Sequence, residues 1–227
     1  QKYNINKKDF STNINGKKIF FDAVFIAVHG TPGEDGKFQS YLDELKIPYT
    51  TSGSAAAALS FNKGKCNDYL RENGVLCAQS YLLDKETVIN ENDILKRVGL
   101  PCFVKPNKNG SSFGVSKVKV KENLQEAIEN AFTHDNEVLI ESFLEGKEVT
   151  CGIHNFGNEL TTFPATEIVS ENDFFDFEAK YAISNPNDLL LDPLQWNAVK
   201  SSGTKSTISL SSITTWAEAV LSVVDKY

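Results

Sequence analysis

Residues 19–28 read Ile-Phe-Phe-Asp-Ala-Val-Phe-Ile-Ala-Val, with one polar interruption, and end on His29-Gly30. An alternating pattern would leave one face of a strand for water. A nearly continuous apolar one leaves neither, so the run is expected to be a strand buried on both faces, as in a parallel sheet covered by helices. Behind it comes the turn Thr31-Pro32-Gly33-Glu34-Asp35-Gly36, and then Phe38, Tyr41, Leu42 and Leu45 at i, i+3, i+4 and i+7, with Pro48 just beyond. That spacing predicts an amphipathic helix. A glycine-rich turn between a buried strand and a helix is where open α/β sheets hold ligands, because helix N-terminal N–H groups converge there on anions.

Further along, the elements shorten and alternate. Ser54–Leu59 is small and apolar, Lys63–Asn73 predicts a short helix closed by Gly74, and Val75–Leu83 is extended. Glu91–Val98 is helical up to Gly99, Pro101–Pro106 is a short strand, and Val115–Val120 alternates as a half-buried strand. Leu124, Ala127, Ile128, Ala131 and Phe132 carry a strong helical period. Val138–Ile140, Val149–His154 and Leu160–Val169 read as three strands. Strand, helix, strand, strand in this order predicts an α+β sandwich with an antiparallel sheet following the α/β opening. Beyond Tyr181 the period is lost, Ser201–Ser212 is rich in Ser and Thr, and Ile213, Trp216, Ala217, Val220, Leu221 and Val224 predict a last helix.

A formal charge of −7 argues against a protein that binds nucleic-acid backbones, which requires clustered basic charge. No stretch approaches a membrane span, and Gln1-Lys2-Tyr3-Asn4 lacks the apolar core of a signal peptide. Cys66, Cys77, Cys102 and Cys151 are widely spaced, with no CxxC pair, and are expected to be reduced thiols of a cytoplasmic protein. Asn109-Gly110-Ser111 matches a glycosylation acceptor only formally. Methionine is absent altogether, position 1 included, which suggests a piece of a longer protein.

Four segments could carry chemistry. His29–Gly36 is the first; its histidine reads equally as a structural cap. In Val104–Gly114 a lysine, Lys105, stands at a strand end before a Gly/Ser loop whose N–H groups can wrap phosphate oxygens. The order differs from a P-loop, where the lysine follows the glycines, and a plain hairpin is the competing reading. Glu137–Thr150 ends an apolar strand in Glu141, then exposes Ser142, Phe143 and Leu144 before Glu148. Flat apolar walls with readable backbone suit an adenine ring, and Glu148 suits a ribose; a hairpin with surface glutamates is the alternative. Asp173–Tyr181 interleaves three phenylalanines with acids and ends Lys180-Tyr181, which suits a flap that excludes water or an aromatic-anchored loop.

In this order and spacing, the four segments resemble the D-alanine–D-alanine ligases of the ATP-grasp superfamily, over about residues 19–181, and in detail those of Bacteroidetes-like bacteria. The resemblance implies an ATP-grasp fold behind an α/β substrate domain. It divides the chain into a remnant of that domain (1–60), a central subdomain (61–145) and a partial C-terminal subdomain (146–227). It implies ATP-dependent, ADP-forming synthesis of the D-alanyl-D-alanine dipeptide for peptidoglycan, through an acyl phosphate. ATP would be held by Lys63, Lys105, Glu141, Ser142, Phe143, Leu144 and Glu148. Ser111, Tyr181 and Lys180 would order the flap and reach phosphate, with His29 and Glu34 near the first D-alanine. Magnesium or manganese would accompany ATP, and a cytoplasmic homodimer is the family expectation.

The sequence departs from the family in three places. Ser142 stands where many relatives have Lys. Nothing before Ile19 matches the family's first strand and Gly-rich loop. The family's Arg-x-Asp and Glu-x-Asn metal strands have no counterpart after Tyr181, so the metal ligands are unknown. Three readings therefore stand: a D-alanine–D-alanine ligase with parts of the chain absent, a noncatalytic nucleotide-binding remnant, and another ATP-grasp carboxylate-amine ligase.

Overall fold

A computed structural model describes residues 3–156 and 159–167 of the chain. The chain opens with a three-stranded antiparallel meander, β1 (Ile5–Asn6), β2 (Ser11–Ile14) and β3 (Lys17–Ile19). Ile14 pairs with Lys17, so Asn15-Gly16 is a two-residue hairpin loop, with φ of 53° and 80°. Positive φ at both central residues matches the right-handed twist of the flanking strands, which is why Asn-Gly is favoured there. Phe10 ties the meander to the chain that follows by edge contacts with Phe21 and Tyr41 and a tilted contact with Phe38.

Three helices follow: α1 (Lys37–Leu45), α2 (Ser54–Phe61) and α3 (Lys63–Glu72). The expected helix at 38–45 is α1, which buries Leu42 completely. The apolar run before it departs from expectation. A strand needs hydrogen-bonding neighbours as well as apolar side chains, and among the described residues only one parallel bridge, Val24 to Tyr49, is formed. Val24 N–H donates to the Pro48 carbonyl at 2.8 Å and Ile26 N–H to Thr50 Oγ1 at 3.1 Å, so the segment runs beside 48–50 as an irregular chain. Ile26 is buried, while Phe25 is 80% exposed.

The main sheet is antiparallel, in the order β4 (Ser80–Asp84), β7 (Glu137–Ser142), β5 (Cys102–Pro106) and β6 (Ser116–Val118). Helices α4 (Glu91–Val98) and α5 (Leu124–Phe132) pack on one face. The α5 residues Leu124, Ala127, Ile128 and Ala131 meet Cys102, Val104, Val118, Val138 and Ile140 in one core. Each fully buried Leu or Ile contributes about 1.5–3 kcal/mol. Glu91 and Asp93 in the first turn of α4 and Lys96 and Arg97 in its last turn both complement the helix dipole. The strand expected at 149–154 is divided: β8 (Val149–Thr150) pairs with β11 (Thr166–Glu167), and β9 (Ile153–Phe156) with β10 (Glu159–Thr162). The change of partner falls at Cys151-Gly152, where the Gly152 carbonyl accepts from Phe163 N–H at 2.8 Å. The run expected at 160–169 divides likewise between β10 and β11. The Asp173–Tyr181 segment and the last helix lie outside the described residues.

Candidate active site

Strand alternation puts Cys102 and Val104 in the core and turns Phe103 and Lys105 to the opposite face of the sheet. On that face β6, β5, β7 and β4 set Lys117, Phe103, Glu141 and Ser80 side by side in one cross-strand row. One step along, Lys105 stands opposite Leu139, so Glu141 is its diagonal neighbour. The Lys105 ammonium closes that diagonal as an ion pair with Glu141, whose other oxygen accepts from Asn67 Nδ2. Asn67 comes from α3, which covers this half of the sheet with Gly64, Asn67 and Arg71 at i, i+3 and i+7. Leu82 methyls come to within 3.6 Å of where a Cβ on Gly64 would sit, and Arg71 Nη2 donates to Ser80 Oγ at 2.7 Å.

What fixes α3 is a buried asparagine that the sequence did not single out. Asn107 is 0% exposed; its Oδ1 accepts from Gly64 N–H at 2.8 Å, and its Nδ2 donates to Asn62 Oδ1 at 3.0 Å and Glu137 Oε2 at 2.6 Å. Asn62 in turn caps α3 by accepting from Lys65 N–H. The helix start is therefore bolted to the end of β5, and Lys63, its first residue, is delivered to the Gly/Ser loop. Lys63 Nζ donates to the Asn109 carbonyl at 2.5 Å and the Asn107 carbonyl at 3.4 Å. Burial, seconded by the charge of Lys105, pulls the Lys63 pKa down to about 8. A cation held on neutral carbonyls beside a second cation favours any anion that arrives.

The loop itself carries strain. Ser111 and Ser112 both have positive φ, 54° and 58°, a region non-glycine residues seldom enter. Gly114, at φ 67°, has no room for a side chain: a Cβ there would lie 2.4 Å from His134 Cδ2. This loop, Lys63, Phe103, Lys105 and Glu148 line a cleft of about 370 Å³. A second cavity of about 340 Å³ adjoins it, sharing Lys63, Asn109 and Gly110 and adding Glu34, Gln39 and Thr51.

Glu34 reaches that second cavity through the turn after His29. Its Oε2 accepts from Gly30 N–H at 2.6 Å, and its Oε1 lies 3.7 Å from His29 Nδ1. His29 itself is 80% exposed and lines neither cavity. Beneath the turn, the fully buried Gln39 donates from Nε2 to the Gly33 carbonyl at 2.7 Å and Thr51 Oγ1 at 3.0 Å, fixing the floor.

Of the residues expected in the site, Lys63, Lys105, Ser111 and Glu148 line the first cleft, Glu141 is bound to it through Lys105, and Glu34 lines the adjoining cavity. Phe143 packs against Phe103 with ring centroids 6.1 Å apart, Ser142 Oγ donates to the Gln79 carbonyl at 3.3 Å, and Leu144 is 67% exposed beyond them. Lys180 and Tyr181 lie outside the described residues. Asn107, Asn67, Phe103 and Lys117 went unnoticed in the sequence; strand alternation around Lys105 and Glu141 was the signal for Phe103. Two lysines, a loop of backbone amides and an apolar wall fit a nucleotide polyphosphate. They do not supply a metal: among the described residues no group of three or more His, Cys, Asp or Glu side chains is gathered to hold one.

The four cysteines are free thiols, with burial holding Cys102 up at about 11. No helix among the described residues is long and apolar enough to cross a membrane.

Comparison with known proteins places these features. The family model described as the D-ala D-ala ligase C-terminus matches residues 70–217, and that of the D-ala D-ala ligase N-terminus matches residues 1–52. The D-alanine–D-alanine ligase of Flavobacterium johnsoniae is 53% identical over 177 residues, covering 78% of this chain and 55% of its own length. The ligase of the same name from Azobacteroides pseudotrichonymphae is 54% identical over 178 residues, with the same coverage. Among solved structures, D-alanyl-alanine synthetase A from Vibrio cholerae shares the fold with a TM-score of 0.77 at 22% identity, covering 98% of this chain and 65% of that one. The chain spans about half the length of the curated relatives it matches. The expected combination of an α/β opening and an antiparallel α+β, ATP-grasp sheet is thus met, and with a family model covering residues 70–217 the chain belongs to the D-alanine–D-alanine ligase family.

Proposed function

We propose that the protein this chain represents joins two D-alanines with ATP, forming ADP, phosphate and the dipeptide used in peptidoglycan. The observation that carries this reading is the convergence of Lys63 and Lys105 on the Gly/Ser loop beside Glu141. Two fixed ammoniums and backbone amides neutralise a triphosphate without reorganising, which is what phosphoryl transfer to a carboxylate needs. Phe143, Leu144 and Ser142 would border adenine, Glu148 would take the ribose, and His29 and Glu34 would face the first D-alanine. Ser111, with Lys180 and Tyr181, would order the flap that keeps water from the acyl phosphate. In this reading residues 1–60, 61–145 and 146–227 belong to the substrate domain, the central subdomain and the C-terminal subdomain. Magnesium or manganese would accompany ATP, and the protein would work as a cytoplasmic homodimer.

The test is phosphate release from magnesium ATP with and without D-alanine. Release that requires D-alanine supports the ligase; release indifferent to D-alanine removes the substrate assignment. ADP binding with no release at all would instead favour the noncatalytic nucleotide-binding reading.

A further inference from the structure

Lys117 stands on the cleft face of β6, directly opposite Phe103 on β5. Its ammonium lies 4.2 Å from the centroid of the Phe143 ring and 5.9 Å from that of Phe103, and the two rings are themselves in contact. A lysine over two aromatic faces is attracted by both ring quadrupoles, and the attraction grows as water is excluded. Phe143 follows Ser142, the last residue of β7, which still pairs with Cys102 and donates its N–H to the Gln79 carbonyl at 2.9 Å, so the chain leaves the sheet at Phe143 and Leu144. Among the described residues, Phe143 has one backbone bond of this kind, its N–H to the Pro101 carbonyl at 3.1 Å. Its ring therefore needs a second anchor if the flanking backbone is to keep one conformation.

We infer that Lys117 is a positioning residue for the purine-reading wall: by clamping Phe143 against Phe103 it fixes the backbone of Phe143 and Leu144, just beyond β7, where a base edge would be read. This rests on the nucleotide reading of the cleft. It accounts for a cation set directly opposite an aromatic ring, and it assigns Lys117 no contact with the reacting atoms. The position opposite Phe103 follows from strand register alone, so the same lysine one residue earlier or later would point into the core.

The test compares wild type with Lys117→Met, which keeps most of the aliphatic stem and loses the charge, and Lys117→Arg, which keeps both charge and ring contact. Two probes are titrated: ADP, which has a base, and inorganic tripolyphosphate, which has none. The expected result is ADP binding about fivefold weaker in Lys117→Met, tripolyphosphate binding unchanged, and near wild-type ADP affinity in Lys117→Arg. Equal loss for both probes would make Lys117 a plain phosphate-attracting charge and overturn the inference, as would unchanged ADP binding in Lys117→Met. Wild type that binds neither probe overturns the nucleotide reading and the inference with it, so the two failures are told apart.

Discussion

Lys63 is held where its charge is least welcome, half-buried on two carbonyls and within the field of Lys105, with Glu141, Asp135 and Glu34 only partly compensating. Its folded-state pKa of about 8 lies below the ordinary lysine value, so the unfolded chain binds this proton more tightly. The penalty is present at every pH below about 8 and is relieved as pH rises from there toward the ordinary value, so this group makes stability rise with pH across that window. A polyphosphate reverses the preference, because an anion beside the amine favours the ammonium. Binding ADP near pH 8 should therefore take up about half a proton, and near pH 6 none through this group. Calorimetry in buffers of different ionisation enthalpy reads that number directly; equal uptake in Lys63→Met would place the proton elsewhere. Lys105 and Glu141 stood out in the sequence because each is a charge that ends an apolar run; Glu148 was singled out in the turn beyond, and Lys63 came only with the family resemblance. Asn107 and Lys117 were not legible, since one matters through burial and the other through a cross-strand neighbour, and neither property is written in the residue's own surroundings.

Among the elements, α1 and α5 were readable from side-chain spacing, because each turns one face inward and carries a period that says so, while α3 and α4 were read with the help of the glycines that close them, Gly74 and Gly99. Helix α2 is Ser-Ala-Ala-Ala-Ala-Leu-Ser-Phe, small and apolar on all sides, and carries no period to read. The run at 19–28 misled on two counts: among its residues only Ile26 is buried, and a strand is made by backbone partners that sequence does not name. The joint that most affects the site is that between α3 and β5, and Asn107 holds it. Asn107→Ala leaves the Gly64 N–H without its acceptor and removes a donor from Asn62, both in a buried place, and removes a second donor from the half-buried Glu137. Losing a buried partner in this way costs about 2–3 kcal/mol. Urea unfolding should show that loss, with weaker ADP binding because Lys63 is no longer delivered to the loop. A cost below about 0.5 kcal/mol, the size of an ordinary surface change, would show that α3 is held by its apolar contacts instead.

For the molecule as a whole, the two cavities share a wall. Lys63, Asn109 and Gly110 line both, so whatever occupies the Lys105 side settles the position of groups that face Glu34 and Gln39. The lysine of that wall is tied to the Asn107 and Asn109 carbonyls, while the loop beyond it holds two serines at strained positive φ, and a Cβ on Gly110 would meet the flexible end of Glu34 at 3.3 Å. A ligand that orders such a wall pays the ordering cost once, and a second ligand binding the ordered wall pays less, which is positive coupling. ADP at a hundred times its Kd should raise stability by about 2.7 kcal/mol, a rise of about 5–10 °C in Tm for a chain of this size. D-alanine alone should move Tm little, and D-alanine added to the ADP complex should move it more than it moves the free protein. Coupling between sites is typically about 1–3 kcal/mol, a change of about 5- to 150-fold in D-alanine affinity, and by reciprocity ADP should tighten by the same factor when D-alanine is present. Tm shifts that simply add would mean that the Lys63–Gly110 wall is already rigid in the free protein and that the two cavities bind independently.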